Sequence, residues 1–142
     1  ELVVPAGANG NSWSELEQLG FIDHPDGHAM ATRLLSRWYP GNPGVLSMPN
    51  HGFSNQIGLL LEPVSRGLGF TVIPQHARRA FARQEAIRVV GCQFAVVDTL
   101  WLIHRREWPL STRAKFAVEH LKANMPTIGA VHVEHQVATQ AA

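Results

Sequence analysis

One stretch, SNQIGLLLEPVSRGLGFTVIP at positions 54–74, constrains the fold more than any other part of the chain. Its apolar residues recur at i, i+3, i+4 and i+7, the spacing that predicts one buried helix face; they are Ile57, Leu60, Leu61 and Val64. Ser54 is expected to cap this helix and Pro63 to kink it, because a hydroxyl accepts a first-turn N–H and a proline removes a hydrogen bond. Gly67 is expected to end the helix with a positive φ. The pattern therefore predicts a helix, a glycine corner and a short strand over 70–73 that Pro74 ends.

Strands and helices alternate along the rest of the chain, which is typical of an α/β sheet flanked by helices. Apolar runs predict strands near residues 2–4, 21–22, 45–48, 86–90 and 99–104. Helical spacing and cap signals predict helices over 14–19, 28–38, 75–81 and 111–125. The last helix is expected to bury a stripe formed by Ala114, Ala117, Val118 and Leu121. Residues 49–52 are expected to form a loop, and the pattern over 127–142 fits a strand and a loose tail equally well.

Length and composition set the class of protein. The chain has 142 residues, 45% of them apolar and 16% charged, which predicts one globular domain with a core rather than a disordered segment. A net charge of +1 gives no signal for binding a polyanion. Cys92 is the single cysteine, so an internal disulfide is excluded and a reducing compartment, the cytoplasm, is expected. No apolar run approaches the roughly 20 residues of a membrane span, and the first residues are not those of a signal peptide.

The order helix, Val64-x-x-Gly67-x-Gly69, strand, Pro74 resembles the effector-binding domain of LysR-type transcriptional regulators. The Pro-x-Gly segment before the helix at 28–38 and the Pro-Leu-Ser segment before the final helix fit the same family, so the resemblance covers roughly residues 1–125. It implies a periplasmic-binding-protein-like α/β lobe, in which helices flank a mixed sheet. Such a lobe is one part of a two-lobe domain with an effector cleft between its lobes.

The resemblance also implies a division of the chain. Residues 1–97 would form the second lobe with its first strand, residues 98–125 the return strand and helix toward the first lobe, and residues 126–142 a C-terminal tail. Because the chain starts in mid-pattern at Glu1 without a methionine, we expect it to be a piece of a longer protein. The first half of lobe one and the N-terminal helix-turn-helix would lie outside it, and DNA would be contacted only through that helix-turn-helix. The expected partners are a small-molecule effector and further copies in a homodimer or homotetramer, with Ala29–Trp38 as the pairing helix, and no membrane.

Three edges are expected to face the effector cleft. They are the loop His24, Pro25, Asp26, Gly27 and His28, the segment with Asn50, Ser54 and Asn55, and the strand around Gly69 and Thr71. Helix N-termini present free N–H groups and a partial positive charge, so a small anionic effector is expected. Ordinary helix capping by the same residues remains the alternative for each of them. His28 stands where many family members carry Ser or Thr, and a titratable ring there points to a different effector.

Other chemistries find less support in the sequence. His24 and His28 are four residues apart, and His132 and His135 are three apart. A proline and a glycine lie between His24 and His28, so these two histidines are not expected on one helix. No carboxylate or cysteine cluster completes either pair, so neither a metal nor a cofactor is expected. Cys92 has no identifiable base, and neither a G-x-S-x-G motif nor a Walker loop is present, so no enzyme is expected.

Two further readings concern function at the level of the whole chain. A stand-alone periplasmic-type solute-binding protein is the alternative to the regulator, and a small α/β enzyme is the third hypothesis.

Four arginines could form a basic face, but no aromatic residues interleave with them for base stacking, so a solvated face is expected; they are Arg78, Arg79, Arg83 and Arg88.

Overall fold

The computed structural model describes residues 1–91, 96–97, 101–104 and 108–124. The chain divides into two compact units, Glu1–Asp98 and Thr99–Ala142. The elements of the first unit are β1 (Leu2–Pro5), α1 (Trp13–Leu19), β2 (Phe21–Asp23), α2 (Gly27–Trp38), β3 (Asn50–Phe53), α3 (Leu61–Ser65), β4 (Thr71–Val72), α4 (Gln75–Arg79) and β5 (Ile87–Val89). Short 3₁₀ turns span Val45–Ser47, Ile57–Leu59 and Gln84–Ala86. The helix described in the second unit is α5 (Thr112–Asn124).

The strands of the first unit form a three-stranded sheet, β4-β1-β5, and a two-stranded sheet, β2-β3, and one isolated bridge connects the two in the order β3-β2-β4-β1-β5. β1 pairs antiparallel with β4 on one side and β5 on the other. β2 pairs in parallel with β3. A parallel bridge between Phe21 and Phe70 joins β2 to the segment leading into β4, where the Ile22 amide donates to the Phe70 carbonyl oxygen at 2.8 Å. This mixed sheet flanked by helices is the α/β architecture that the sequence predicts.

Two apolar clusters cover the two faces of the sheet, and β1 contributes to both. Leu2 and Val4 belong to the cluster that packs against α1 and α2, whereas Val3 belongs to the cluster that packs against α3. All three side chains are fully buried. Side chains of a strand alternate between faces, so an uninterrupted apolar run is what a strand buried on both faces requires. The run at residues 2–4 therefore places β1 inside the sheet.

The strand predicted over 45–48 is wrong, and the neighbouring segment forms the strand instead. Val45–Ser47 is a 3₁₀ turn that buries Val45 and Met48, at 3% and 7% exposure, and leaves Leu46 86% exposed. That spacing of three fits a 3₁₀ turn and not the two-residue period of a strand. Residues 50–52, predicted as part of a loop, belong to β3, which ends at Phe53. It is an edge strand with mostly exposed side chains. Its sequence therefore lacks the alternation of apolar and polar residues that would predict a strand.

The predicted helix over 54–67 is divided. A 3₁₀ turn at Ile57–Leu59 leads into α3, which begins at Leu61. Ser54 does not cap α3; its hydroxyl oxygen accepts from the Gln56 amide at 3.1 Å. Pro63 does not kink the helix, because it lies in the first turn, where a missing N–H breaks no helical bond.

The predicted glycine corner is confirmed. Gly67 has a φ of 79°, and its amide donates to the Val64 carbonyl oxygen at 3.0 Å. The Leu68 amide donates to the Pro63 carbonyl oxygen at 3.1 Å. This pair of bonds is the Schellman motif that ends a helix at a left-handed residue.

Three predictions concern the second unit. Ser111 caps α5 as predicted, because its hydroxyl oxygen accepts from the Ala114 amide at 3.2 Å. The buried stripe predicted for α5 is wrong: Ala114 and Val118 are half-buried, and Ala117 and Leu121 are exposed. Residues 101–104 have no regular secondary structure, and the rest of the strand predicted over 99–104 lies outside the described residues. Cys92 and residues 125–142 also lie outside them.

Candidate functional site

The carboxyl ends of β2 and β3 lie at the same edge of the sheet, because the two strands are parallel. The Ser54 amide, just after β3, donates to the Asp23 carbonyl oxygen at the end of β2 at 3.0 Å. Open α/β sheets bind ligands outside the carboxyl ends of their strands. This edge therefore brings the predicted loop at 24–28 next to the predicted segment at 54–55.

The start of α2 leaves backbone donors available at this edge. The Gly27 amide donates to the His24 carbonyl oxygen at 2.8 Å, and the Asp26 carbonyl oxygen accepts the first helical bond, from Met30 at 3.0 Å. Asp26 is the N-cap residue, but its side chain makes no capping bond. Within the described residues, the amides of His28 and Ala29 donate to no protein acceptor. These groups are the kind that bind anions at a helix N-terminus.

A carboxylate that the sequence analysis did not select lies behind this helix start. Asp23 is buried at 7% exposure, and its Oδ1 accepts from the His24 amide at 2.8 Å. Its Oδ2 lies 3.1 Å from Nδ1 of His28, a side chain that is 44% exposed. The buried Phe21 ring contacts the His28 ring edge to face, with 5.7 Å between centroids. An acidic residue that closes an apolar strand is the signal that could have identified Asp23.

Three of the predicted residues make contacts that join the strands. The His24 ring is buried, with Nε2 3.0 Å from the Val72 carbonyl oxygen. The hydroxyl of Thr71 is also buried and donates to the Ile22 carbonyl oxygen at 2.8 Å. A Cβ on Gly69 would lie 2.7 Å from the Gly20 carbonyl oxygen, so the backbone approaches β2 closely there.

The other predicted residues divide between the two ends of β3. Pro25, Asp26 and Asn55 are exposed and lie on the side of Ser54. Asn50 is paired with Phe21 and begins β3, so it lies at the opposite end of that strand. Its side-chain oxygen accepts from the amide two residues further on, at 3.0 Å.

The arginines predicted to form a solvated face mostly engage other groups of the protein. Arg78 Nε lies 2.8 Å from the Glu1 carboxylate. Arg83 pairs with the Glu62 carboxylate, and Arg88 donates to a backbone carbonyl oxygen. Burial raises the pKa of the Glu1 carboxyl, but the hydrogen bond and charge of Arg78 outweigh it and hold that pKa below its ordinary value of 4.5.

Two further observations bear on the kind of site. A surface pocket of about 240 Å³, lined by residues from 57–62 and 77–83, includes none of the predicted effector contacts. In the part of the chain that the structure describes, no three histidine, cysteine or carboxylate side chains lie close enough to hold a metal ion.

Comparison with known proteins identifies the family. The model of the LysR substrate binding domain matches residues 2–126. No curated protein and no solved structure matched the chain. None of the helices in the described residues has the length and apolar character needed to cross a membrane. Since the matched region covers most of the 142 residues, the chain belongs to the LysR substrate-binding domain family, the effector-sensing part of LysR-type transcriptional regulators.

Proposed function

We propose that this domain binds a small anionic molecule at the edge formed by the carboxyl ends of β2 and β3 and the start of α2. Residues 1–97 act as the second lobe and residues 98–125 lead toward the first lobe, which supplies the opposite wall of the cleft. The effector contacts come from the loop at 24–28 and from Ser54 and Asn55.

The observation that carries this proposal is the open start of α2. The amides of His28 and Ala29 have no acceptor in the described residues, and a helix N-terminus carries a partial positive charge that favours an anion. The nearby Asp23 carboxylate already accepts a hydrogen bond from the His24 amide and lies beside Nδ1 of the His28 ring. A second carboxylate, from an effector, would therefore meet donors at this edge and not an unpaired negative charge.

Binding at such an edge can be converted into a transcriptional response. A ligand that binds the closed cleft more tightly than the open one shifts the population of oligomer shapes. We propose a homodimer or homotetramer in which α2 pairs with the partner copy. Its inner side chains, Ala31, Leu34 and Leu35, are buried in the domain's own core, so the exposed residues such as Ala29 and Thr32 would meet the partner.

DNA is contacted only through the N-terminal helix-turn-helix of the whole regulator, which acts in the cytoplasm. The internal pairing of Arg78 and Arg83 supports this assignment, since those cations are engaged by carboxylates. The family match favours the regulator over a stand-alone solute-binding protein. An isolated chain that gave specific, saturable operator binding in a gel shift would contradict this part of the proposal.

The effector site is tested by a thermal-shift screen of the full-length regulator against small aliphatic and aromatic acids, with calorimetry on the hits. A ligand at a hundredfold excess over its Kd stabilises a protein by about 2.7 kcal/mol. His28→Glu places a negative charge at the helix start and should abolish the stabilisation. Gln18→Glu adds the same charge to the exposed face of α1 and should leave it intact. Equal stabilisation of both variants would show that the acid binds elsewhere.

A further inference from the structure

The buried carboxylate of Asp23 has a fixed orientation. One of its oxygens, Oδ1, accepts from the His24 amide at 2.8 Å. The other, Oδ2, lies 3.1 Å from Nδ1 of His28. A buried charged group needs such donors because it has left water, and an ionised carboxylate offers acceptors only. Nδ1 of His28 must therefore be the nitrogen that carries a hydrogen.

This arrangement determines what the rest of the His28 ring can do. A neutral imidazole has one N–H and one lone pair, so a hydrogen on Nδ1 leaves Nε2 as an acceptor. Nothing in the described part of the chain bonds to Nε2, and the side chain is nearly half exposed. The edge-to-face contact with Phe21 limits rotation of the ring.

Gly27 provides room for the carboxylate. A Cβ at this position would lie 2.4 Å from Oδ1 of Asp23 and 3.0 Å from Cδ2 of His24. No real side chain tolerates the first distance, so any other residue would push the carboxylate aside. The glycine at the first position of α2 and the acid at the end of β2 therefore depend on each other.

We propose that Asp23 is a positioning residue that fixes the Nδ1–H form of His28 and so presents Nε2 as a hydrogen-bond acceptor to the effector. The ligand class follows from what lies beside that atom, and this part rests on the proposed function. The amides of His28 and Ala29 attract a carboxylate, whereas Nε2 attracts an O–H group. A carboxylic acid with a hydroxyl on the adjacent carbon, or in the ortho position of an aromatic ring, carries both groups at neighbouring atoms.

The position of the hydrogen is measured by long-range ¹H–¹⁵N NMR of the labelled chain at alkaline pH, where imidazole side chains are neutral. The His28 signals are assigned by their loss in His28→Gln. We expect the Nδ1–H form in the wild type. In Asp23→Asn the amide oxygen keeps the His24 bond and the NH₂ group faces Nδ1, so the ring should change to the Nε2–H form.

Glu85→Gln is the matched control, because it removes one negative charge from an exposed position and should leave the wild-type form unchanged. A wild-type spectrum dominated by Nε2–H would overturn the proposal, even if the Asp23→Asn variant failed to fold. The same shift of form in the Glu85→Gln variant would also overturn it, since the effect would then be one of net charge.

The ligand class is measured by calorimetry with two pairs of probes, salicylate with benzoate and lactate with propionate. The wild type should bind the hydroxylated member about threefold to tenfold more tightly, the contribution of one hydrogen bond, and Asp23→Asn should lose that preference. Acids that bind without any such preference overturn the ligand class while leaving the proposed function intact. If none of the four acids binds, both the ligand class and the anion assignment fail, whereas the NMR measurement still decides the role of Asp23.

Discussion

Replacing Gly69 by alanine tests whether the close approach of the glycine corner to β2 supports the fold. The new Cβ would lie 2.7 Å from the Gly20 carbonyl oxygen and 2.9 Å from two carbons of Ile22. The Gly20 oxygen cannot retreat freely, because it accepts the Phe70 amide at 2.9 Å. Overpacking of a filled core costs about 1–3 kcal/mol. We expect a loss toward the upper end of that range, since backbone as well as side-chain atoms must move.

Two other glycines serve as matched controls for the same substitution. A Cβ on Gly67 would meet nothing within 4 Å, but its φ is +79°. Gly67→Ala should therefore cost only the left-handed strain, about 1–2 kcal/mol. Gly58 also has open space and no positive φ. Gly58→Ala should be neutral or stabilise by about 0.4–1 kcal/mol, because alanine restricts the unfolded chain.

The measurement is equilibrium unfolding in urea, followed by far-UV circular dichroism and analysed by linear extrapolation. The expected order of stability is the Gly58 variant, the wild type, the Gly67 variant and the Gly69 variant. If the Gly69 variant were as stable as the Gly58 variant, the corner would have room for a side chain, and the close packing of the corner against β2 would be refuted.

Three further predictions use the same titration. Thr71→Val keeps the shape of the buried side chain but removes its bond to the Ile22 carbonyl oxygen, and should cost about 1 kcal/mol; an unchanged midpoint would show that the bond contributes nothing. Ser12→Ala removes the side chain that accepts from the third amide of α1 at 3.2 Å and should also cost about 1 kcal/mol, a result that stability equal to the wild type would contradict. The Glu1 carboxyl has a pKa held below its unfolded value of 4.5 by Arg78, so its contribution is present above that pH and is lost as the pH falls below it. Between about pH 6 and pH 3 the wild type should lose more stability than Arg78→Gln; parallel losses would exclude the ion pair as the cause.

The elements that the sequence predicts well are those with a buried face. β1 reads as an uninterrupted apolar run because both of its faces are covered. Apolar residues at helical spacing predict α2, and its buried residues include Ala31, Leu34 and Leu35. The glycine corner is predictable because the positive φ of Gly67 leaves few other residues acceptable.

The elements that sequence reasoning misses are those whose packing does not follow a simple period. β3 is exposed at most of its positions, so hydrophobic alternation could not reveal it. The apolar residues after Ser54 do enter the core at Leu60, Leu61 and Val64, but Ile57 stays exposed because a 3₁₀ turn precedes α3. α5 has helical spacing without a buried face in the described structure.

The candidate site was partly predictable for a similar reason. The Pro-x-Gly signal locates the start of α2, and the parallel pairing of β2 with β3 then brings Ser54 alongside it. Asp23 was missed because one acidic residue at the end of a short apolar strand is a weak signal when the sequence is read alone. Its role depends on His28, five residues later, and on the space left by Gly27.

The place of β1 in the sheet has a consequence for synthesis on the ribosome. Its hydrogen-bonding neighbours lie near residues 71–72 and 87–89, so β1 cannot complete its pairing until residue 89 has been synthesised. During that interval three adjacent aliphatic side chains and two unpaired backbone edges are open to other nascent chains, which is the state in which proteins with distant pairings associate wrongly. Slow elongation between β1 and residue 70 should therefore lower the yield of folded protein, and a chaperone that shelters β1 should restore it.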